Sequence, residues 1–245
     1  AVICLGAYVN HKFIRPRRLT RFSVESVEQR SDSVVSLTFR PVEDTAPVSR
    51  KPGQFAYFSI QSEGVADEEH PFTIASAPGE PVRVTARQLG DFTRSLSLVK
   101  VGDPATVGGP YGRFVADPDS DRPLYLVAGG IGITPMISMI STPEVRNGRR
   151  VTLLWSVSRQ SDIDTLPEVT RYADDIRFEP IVVTDVAKVA QTLEESLARI
   201  IPEDERRSAE ILVCGPPRFM DTTFRILRSL GVRRRHVHRE RFSWA

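Results

Sequence analysis

The sequence predicts two domains of different class, an N-terminal antiparallel β-barrel followed by an α/β domain built on a parallel sheet. Three observations predict it. Short β-rich runs broken by turn residues fill the chain from Phe22 to about Asp117. A polar, proline-bearing segment, ADPDSDRP at 116–123, then marks a change of composition. Beyond it, runs of Val, Ile and Leu alternate with helical stretches, the pattern of βα units. A length of 245 residues accommodates both halves.

In order, the barrel strands are FSVESVEQ, SVVSLTF, GQFAYFSI, HPFTIAS, PVRVTARQL and PATVGG, each holding β-branched or aromatic residues, with Pro, Gly, Asp and Ser between them. Gly102-Asp103 after Lys100-Val101 is turn chemistry between two of these runs. The α/β half pairs PLYLVA with TPMISMIS, VTLLWSV with a helical segment near Thr165–Asp174, FEPIVVT with VAQTLEESLARII, and AEILVCG with PRFMDTTFRILRSLG. Gly231 is the expected stop of that last helix. VHRERFSWA could be a final strand. The domains are therefore placed at 20–118 and 119–245, with 1–19 as a separate N-terminal stub.

Composition excludes several classes. Hydrophobic and charged fractions of 40% and 26% are globular values, which argues against disorder or a polytopic membrane protein. Lys and Arg number 33 against 31 Asp and Glu, and a net charge of +2 gives no case for nucleic acid. Cys4 and Cys214 are too few for a disulfide framework, a zinc site or an iron–sulfur cluster, so no metal is expected. The start, AVICLGAYV, is far shorter than the roughly 20 apolar residues that span a bilayer. Its basic cluster HKFIRPRR follows the apolar run, the reverse of a secretory signal. Such a start suits either a helix leaving a membrane on its cytoplasmic side or a loose terminus.

The strongest local signal is LVAGGIGITPM. A strand ends in Gly129-Gly130-Ile131-Gly132-Ile133-Thr134-Pro135 and a helix follows, the context in which glycines let backbone approach a phosphate. Pro135 sits where a missing N–H costs nothing. The next strand ends at Ser158-Arg159, and an arginine there suits a 2′-phosphate, favouring NADPH, while Asp162 keeps NADH possible. LVCGPP places Cys214, Gly215, Pro216 and Pro217 at another strand end, with room for a flat ring; a buried structural cysteine is the competing reading. In the barrel, HPFT offers an aromatic and a hydroxyl, as a flavin would need, although Phe72 alone reads as core. Arg87 and the turn Gly90-Asp91-Phe92-Thr93 could meet a diphosphate.

Together, HPFT, GDFT, GPYG, GGIGITP, WSVSR, CGPP and the terminal ERF resemble the ferredoxin–NADP+ reductase superfamily over about residues 20–245. HPFT and GDFT are similar to its ferric reductase and NADPH oxidase branch, with His70 and Phe72 where the superfamily commonly has Arg and Tyr, and Phe92 where the branch has Trp. The resemblance implies an FAD-binding barrel and an NADP-binding domain. It implies that His70, Pro71 and Phe72 contact FAD, that Thr73 bonds its ring, and that Arg87, Gly90 and Thr93 hold its pyrophosphate. It further implies that Gly130, Gly132, Thr134 and Pro135 seat the NADPH diphosphate, with Arg159 on the 2′-phosphate. Cys214, Gly215 and Pro216 would flank the nicotinamide, and Phe242 or Trp244, with Glu240 nearby, would cover the flavin.

The expected activity is NAD(P)H-dependent flavin oxidoreduction, with FAD passing single electrons onward. Thr73, Cys214, Glu240 and Phe242 are the expected catalytic residues. The expected acceptor is haem in a transmembrane portion outside this sequence, which would place the domain on the cytoplasmic face of a membrane. The alternatives are a cytoplasmic reductase serving a separate oxygenase or iron–sulfur protein, and a nucleotide-binding module without turnover.

Overall fold

The computed structural model describes residues 19–42 and 48–240. Six strands form the first sheet: β1 (Leu19–Ser31), β2 (Val34–Pro41), β3 (Phe55–Ile60), β4 (His70–Thr73), β5 (Val82–Arg87) and β6 (Pro104–Tyr111). They run antiparallel in the order β4-β3-β6-β1-β2-β5. The alternation in FAYFSI explains one of them: Ala56, Phe58 and Ile60 point into the core while Phe55, Tyr57 and Ser59 are half-buried. Phe22, Val24, Leu37, Phe39, Val82, Val84 and Val107 fill the same interior. The sheet curls until its edges meet, because Ala75, just past β4, donates its N–H to Arg83 O of β5 at 2.7 Å. A short helix, α1 (Asp91–Ser95), follows β5.

The second sheet is wholly parallel: β7 (Leu124–Gly129), β8 (Val151–Val157), β9 (Arg177–Val182), β10 (Glu210–Cys214) and β11 (Val237–Glu240), in the order β11-β10-β7-β8-β9. Between them lie α2 (Thr134–Ile140), α3 (Pro143–Arg146), α4 (Gln160–Asp164), α5 (Pro167–Thr170), α6 (Val189–Ile200) and α7 (Pro217–Ser229). β7 and β10 are buried along their whole length, which is why their sequences are unbroken apolar runs. The helical segment expected near Thr165–Asp174 is shorter than predicted. Leu166, forced out of helical conformation ahead of Pro167, separates α4 from α5. Gly231 ends α7 as expected: its N–H reaches Arg228 O and the N–H of Val232 reaches Leu227 O, both at 3.0 Å.

Chain order places the functional cleft. The chain leaves β7 toward β8 and β9, then returns to β10 on the other side of β7, so the direction of winding reverses between β7 and β10. Ligands of open α/β sheets bind beyond the carboxyl ends of the strands at such a reversal. The barrel is held over that edge by a polar seam. Ser138 of α2 donates to Ser76 O at 2.9 Å and accepts the Gly53 N–H at 3.3 Å. Glu168 of α5, nearly buried, takes Arg30 of β1 at 2.8 Å and Arg83 of β5 at 3.2 Å. Among the described residues, no helix is long and apolar enough to cross a membrane, and no cluster of side chains could hold a metal ion. Residues 1–18, which are all of the expected stub except Leu19 at the start of β1, lie outside the described residues.

Candidate functional site

The cleft begins where β7 and β10 end side by side, with Cys214 registered against Ala128. Gly132 packs against the backbone that leaves β10: a Cβ there would stand 2.5 Å from Cys214 O and 2.7 Å from the Gly215 nitrogen. Gly129 and Gly215 face the ring of Phe219 at 2.7 and 2.8 Å by the same measure. The glycines therefore first let two strand ends close on one another, and this leaves Gly130 and Ile131 as the half-exposed crest of the loop. Gly130 adopts φ +52, a left-handed conformation that only glycine enters cheaply. The carbonyl of Gly130 accepts the indole N–H of Trp155 from β8 at 2.9 Å. Thr134 is buried and donates to Ile131 O at 3.2 Å, while buried Pro135 occupies the first turn of α2; these two residues build the loop from beneath.

On the β10 side, Cys214 is fully buried and its thiol is free. Burial, then the neighbouring Glu240, push its pKa well up, so it is a neutral thiol rather than a thiolate. Glu240 ends β11 directly beside Cys214. Desolvation lifts its carboxyl to about 7, and its Oε2 has no hydrogen-bond partner among the described residues. A Cβ on Gly112 of the barrel would lie 3.5 Å from Glu240 Oε1, so this carboxyl reaches across the cleft to the other domain. Pro216 is exposed at the entry to α7.

On the barrel side, His70 stacks on Phe92 with ring centroids 3.6 Å apart, and its Nε2 lies 3.0 Å from Glu68 Oε2. Phe72 lies near-parallel to Phe92 at 6.2 Å and tilted against Phe58 at 6.2 Å, so it is partly core and partly open. Pro71 opposes Tyr57 on the other face of β4. Thr73 is only 5% exposed, yet its hydroxyl has no partner among the described residues. A buried hydroxyl left unbonded is costly, so it fits a ligand atom supplied from outside the chain. Arg87 stands opposite the phosphate-type loop, its Nη1 3.8 Å from where a Cβ on Gly130 would be. Thr93 is engaged locally: its hydroxyl accepts from the Leu89 and Gly90 N–H groups at 2.9 and 3.0 Å and donates to Gly90 O.

Arg159 lies at the carboxyl end of β8 with a side chain 62% exposed, in loose contact with Asp162 at 3.5 Å. Asp162 also takes the Arg159 N–H at 3.2 Å, which caps α4. Arg87, Gly130, Ile131, Trp155, Asp162 and Thr165 line one continuous cleft between barrel and sheet. Phe242 and Trp244 lie outside the described residues. Sequence reasoning passed over Phe219, which covers two of the glycines, and Trp155, which holds a third. Phe219 lies two residues beyond CGPP, and Trp155 opens the motif WSVSR.

The sequence and the fold match known proteins. Residues 19–113 match the family described as FAD-binding domain, and residues 126–224 match the oxidoreductase NAD-binding domain. A flavohemoprotein of Bacillus anthracis is 30% identical over 245 residues, covering 90% of this chain and 60% of that protein. The propane 2-monooxygenase reductase component of Rhodococcus jostii (strain RHA1) is 26% identical, covering 93% of this chain and 65% of its own length. A ferredoxin NADP+ reductase from Neisseria gonorrhoeae, solved with bound FAD and NADP, shares the fold at a TM-score of 0.77 and 18% identity, covering 92% of this chain and 99% of that one. The chain spans about 60% of the length of the flavohemoprotein relative.

Proposed function

The chain joins an FAD-binding domain to an oxidoreductase NAD-binding domain in a ferredoxin–NADP+ reductase-like fold, and from that premise we propose that it is an NAD(P)H-dependent flavin reductase module serving an acceptor outside the described residues. Bound FAD supplies the conversion of a two-electron donor into single-electron transfers. The observation that carries the reading is the cleft between barrel and sheet, where Arg87 faces the glycine-built loop at Gly130; on the barrel, the buried Thr73 hydroxyl without a partner among the described residues supports it.

Each side chain then has a task. His70, Pro71 and Phe72, on the edge strand β4, would hold the flavin, and the Thr73 hydroxyl would be free to bond it. Arg87 supplies positive charge for pyrophosphate, with Thr93 fixing the Leu89-Gly90 turn beside it. Gly130 and Ile131 present backbone to the dinucleotide diphosphate, over the footing made by Gly132, Thr134 and Pro135. Cys214, Gly215 and Pro216 would flank the nicotinamide, and a neutral thiol puts no charge beside it. Glu240 holds or releases a proton near pH 7 at the mouth of the cleft.

The relatives support, over a membrane-borne haem, an acceptor on an adjoining haem domain or a separate oxygenase partner, because the proteins matched are a flavohemoprotein and an oxygenase reductase component. The test is spectroscopic. The purified chain is mixed with FAD, freed of excess, and titrated with NADPH under nitrogen while its visible absorption is followed. A flavin band that stays with the protein and bleaches on NADPH is expected; a chain that remains colourless, or a band that never bleaches, overturns the reading.

Nucleotide preference follows from Arg159. The Arg159→Ala variant is expected to raise the KM for NADPH about tenfold, since a charged hydrogen bond contributes roughly 1.5–3 kcal/mol, and to leave the KM for NADH within about twofold. Steady-state rates with ferricyanide as acceptor check it, and equal effects on both nucleotides would remove Arg159 from the phosphate.

A further inference from the structure

We propose that Trp155 is a positioning residue for the dinucleotide, acting through the loop rather than on the chemistry; this rests on the reading of the cleft as an NAD(P)H site. The indole lies in the core beneath the loop with only 2% of its surface exposed, and its one polar atom, Nε1, is spent on Gly130 O at 2.9 Å. That bond joins the end of β8 to the crest of the loop that follows β7, two neighbours in the parallel sheet. Gly130 is the residue whose left-handed φ turns the chain from strand to helix. Fixing the direction of its carbonyl also fixes the peptide plane between Gly130 and Ile131, and so the direction of the Ile131 N–H at the half-exposed crest.

The neighbouring constraints do not replace this bond. Gly132 is immobilised by the Cys214-Gly215 backbone and Thr134 by its bond to Ile131 O, so the loop is anchored at its far end. At its near end, Gly130 lacks a side chain and is partly exposed. Without the indole donor, the Gly130-Ile131 peptide is held only by the 3-10 turn over Gly130–Ile133, whose hydrogen-bond geometry is poorer than an α-helix's, and glycine has several conformations of similar energy. The dinucleotide would then have to order the peptide on binding, which weakens affinity without altering the bound geometry. The expected signature is therefore a raised KM at an unchanged kcat.

Two substitutions separate this role from packing. Trp155→Phe removes the donor and keeps most of the apolar bulk. Trp155→His removes more bulk, but its Nε2 occupies the position of the indole Nε1 and restores a donor. If the indole N–H positions the loop, Phe raises the KM for NADPH about 3- to 10-fold and His raises it less, with kcat and bound FAD per chain within twofold of the parent for both. If Trp155 only fills space, the order reverses, with His the weaker variant. Equal KM values across parent and variants also overturn the proposal. NADP+ binding to the parent, measured by calorimetry, is read alongside. A parent that binds no dinucleotide overturns the nucleotide reading and this role with it, whereas a binding parent with the reversed order overturns this role alone.

Discussion

The Gly132→Ala variant is expected to lose NADPH-dependent flavin reduction by at least tenfold and to unfold about 5–10 °C below the parent. The added methyl would stand 2.5 Å from Cys214 O and 2.6 Å from its carbonyl carbon, both backbone atoms of a strand locked between β7 and β11. No rotamer change relieves that contact, so the strand ends must separate. Overpacking of this kind costs about 1–3 kcal/mol, and each kcal/mol moves the midpoint of a chain of this size by roughly 2–4 °C. The separation opens the seam between the loop and Cys214-Gly215, where the nicotinamide is proposed to lie. Gly129→Ala is the control. The three atoms nearest its methyl would all belong to the Phe219 side chain and none to the backbone, so its midpoint should fall less. Scanning calorimetry and stopped-flow reduction of the FAD-loaded chain check both, and a Gly132→Ala protein with parental midpoint and KM would show that the strand ends are not tightly apposed.

That contact also marks what the sequence can and cannot tell. The strands were legible because their residues alternate, as in FAYFSI, or run wholly apolar, as in LYLVA and EILVC. The loop GGIGITP was legible as a phosphate turn, but the immediate reason for Gly132 was not. It depends on β10 lying beside β7, a neighbour relation that chain order leaves open. The same limit hid the seam. Arg30 and Glu168 are 138 residues apart, and nothing local to either announces the pair. Thr73 was singled out from the aromatic-hydroxyl pattern of HPFT, and its unbonded oxygen adds a physical reason for that choice. Thr93 was read as a ligand contact, whereas a hydroxyl four residues past Leu89 can equally cap a turn, and here it does so. Near Thr165–Asp174 the helix is short because Pro167 can begin α5 but cannot extend α4 through Leu166.

Glu240 gives the second large effect, and its sign is fixed by the direction of the shift. The carboxyl titrates near 7 in the folded chain and near 4.5 unfolded. Below about pH 4.5 it is protonated in both states and burial of its charge costs nothing. Between about 4.5 and 7 the unfolded chain releases a proton that the folded chain keeps, so stability falls as pH rises. Above 7 the full cost is present, on the order of 3 kcal/mol for a shift of this size. Glu240→Gln removes the titration while preserving shape. Relative to the parent, the variant is therefore expected to gain stability as pH rises from 4.5 to 7, reaching an unfolding midpoint about 6–12 °C higher at pH 8, with the gain fading toward pH 4. Activity should move the other way. If Glu240 handles a proton at the mouth of the cleft, the parent's reduction rate changes across neutral pH and the variant's does not. Calorimetry from pH 4 to 8 and reduction rates from pH 6 to 8 read the two effects separately. A stability difference independent of pH would show that Glu240 is not desolvated, and a variant that keeps the parent's rate profile would leave the carboxyl a buried strand end with no part in proton transfer.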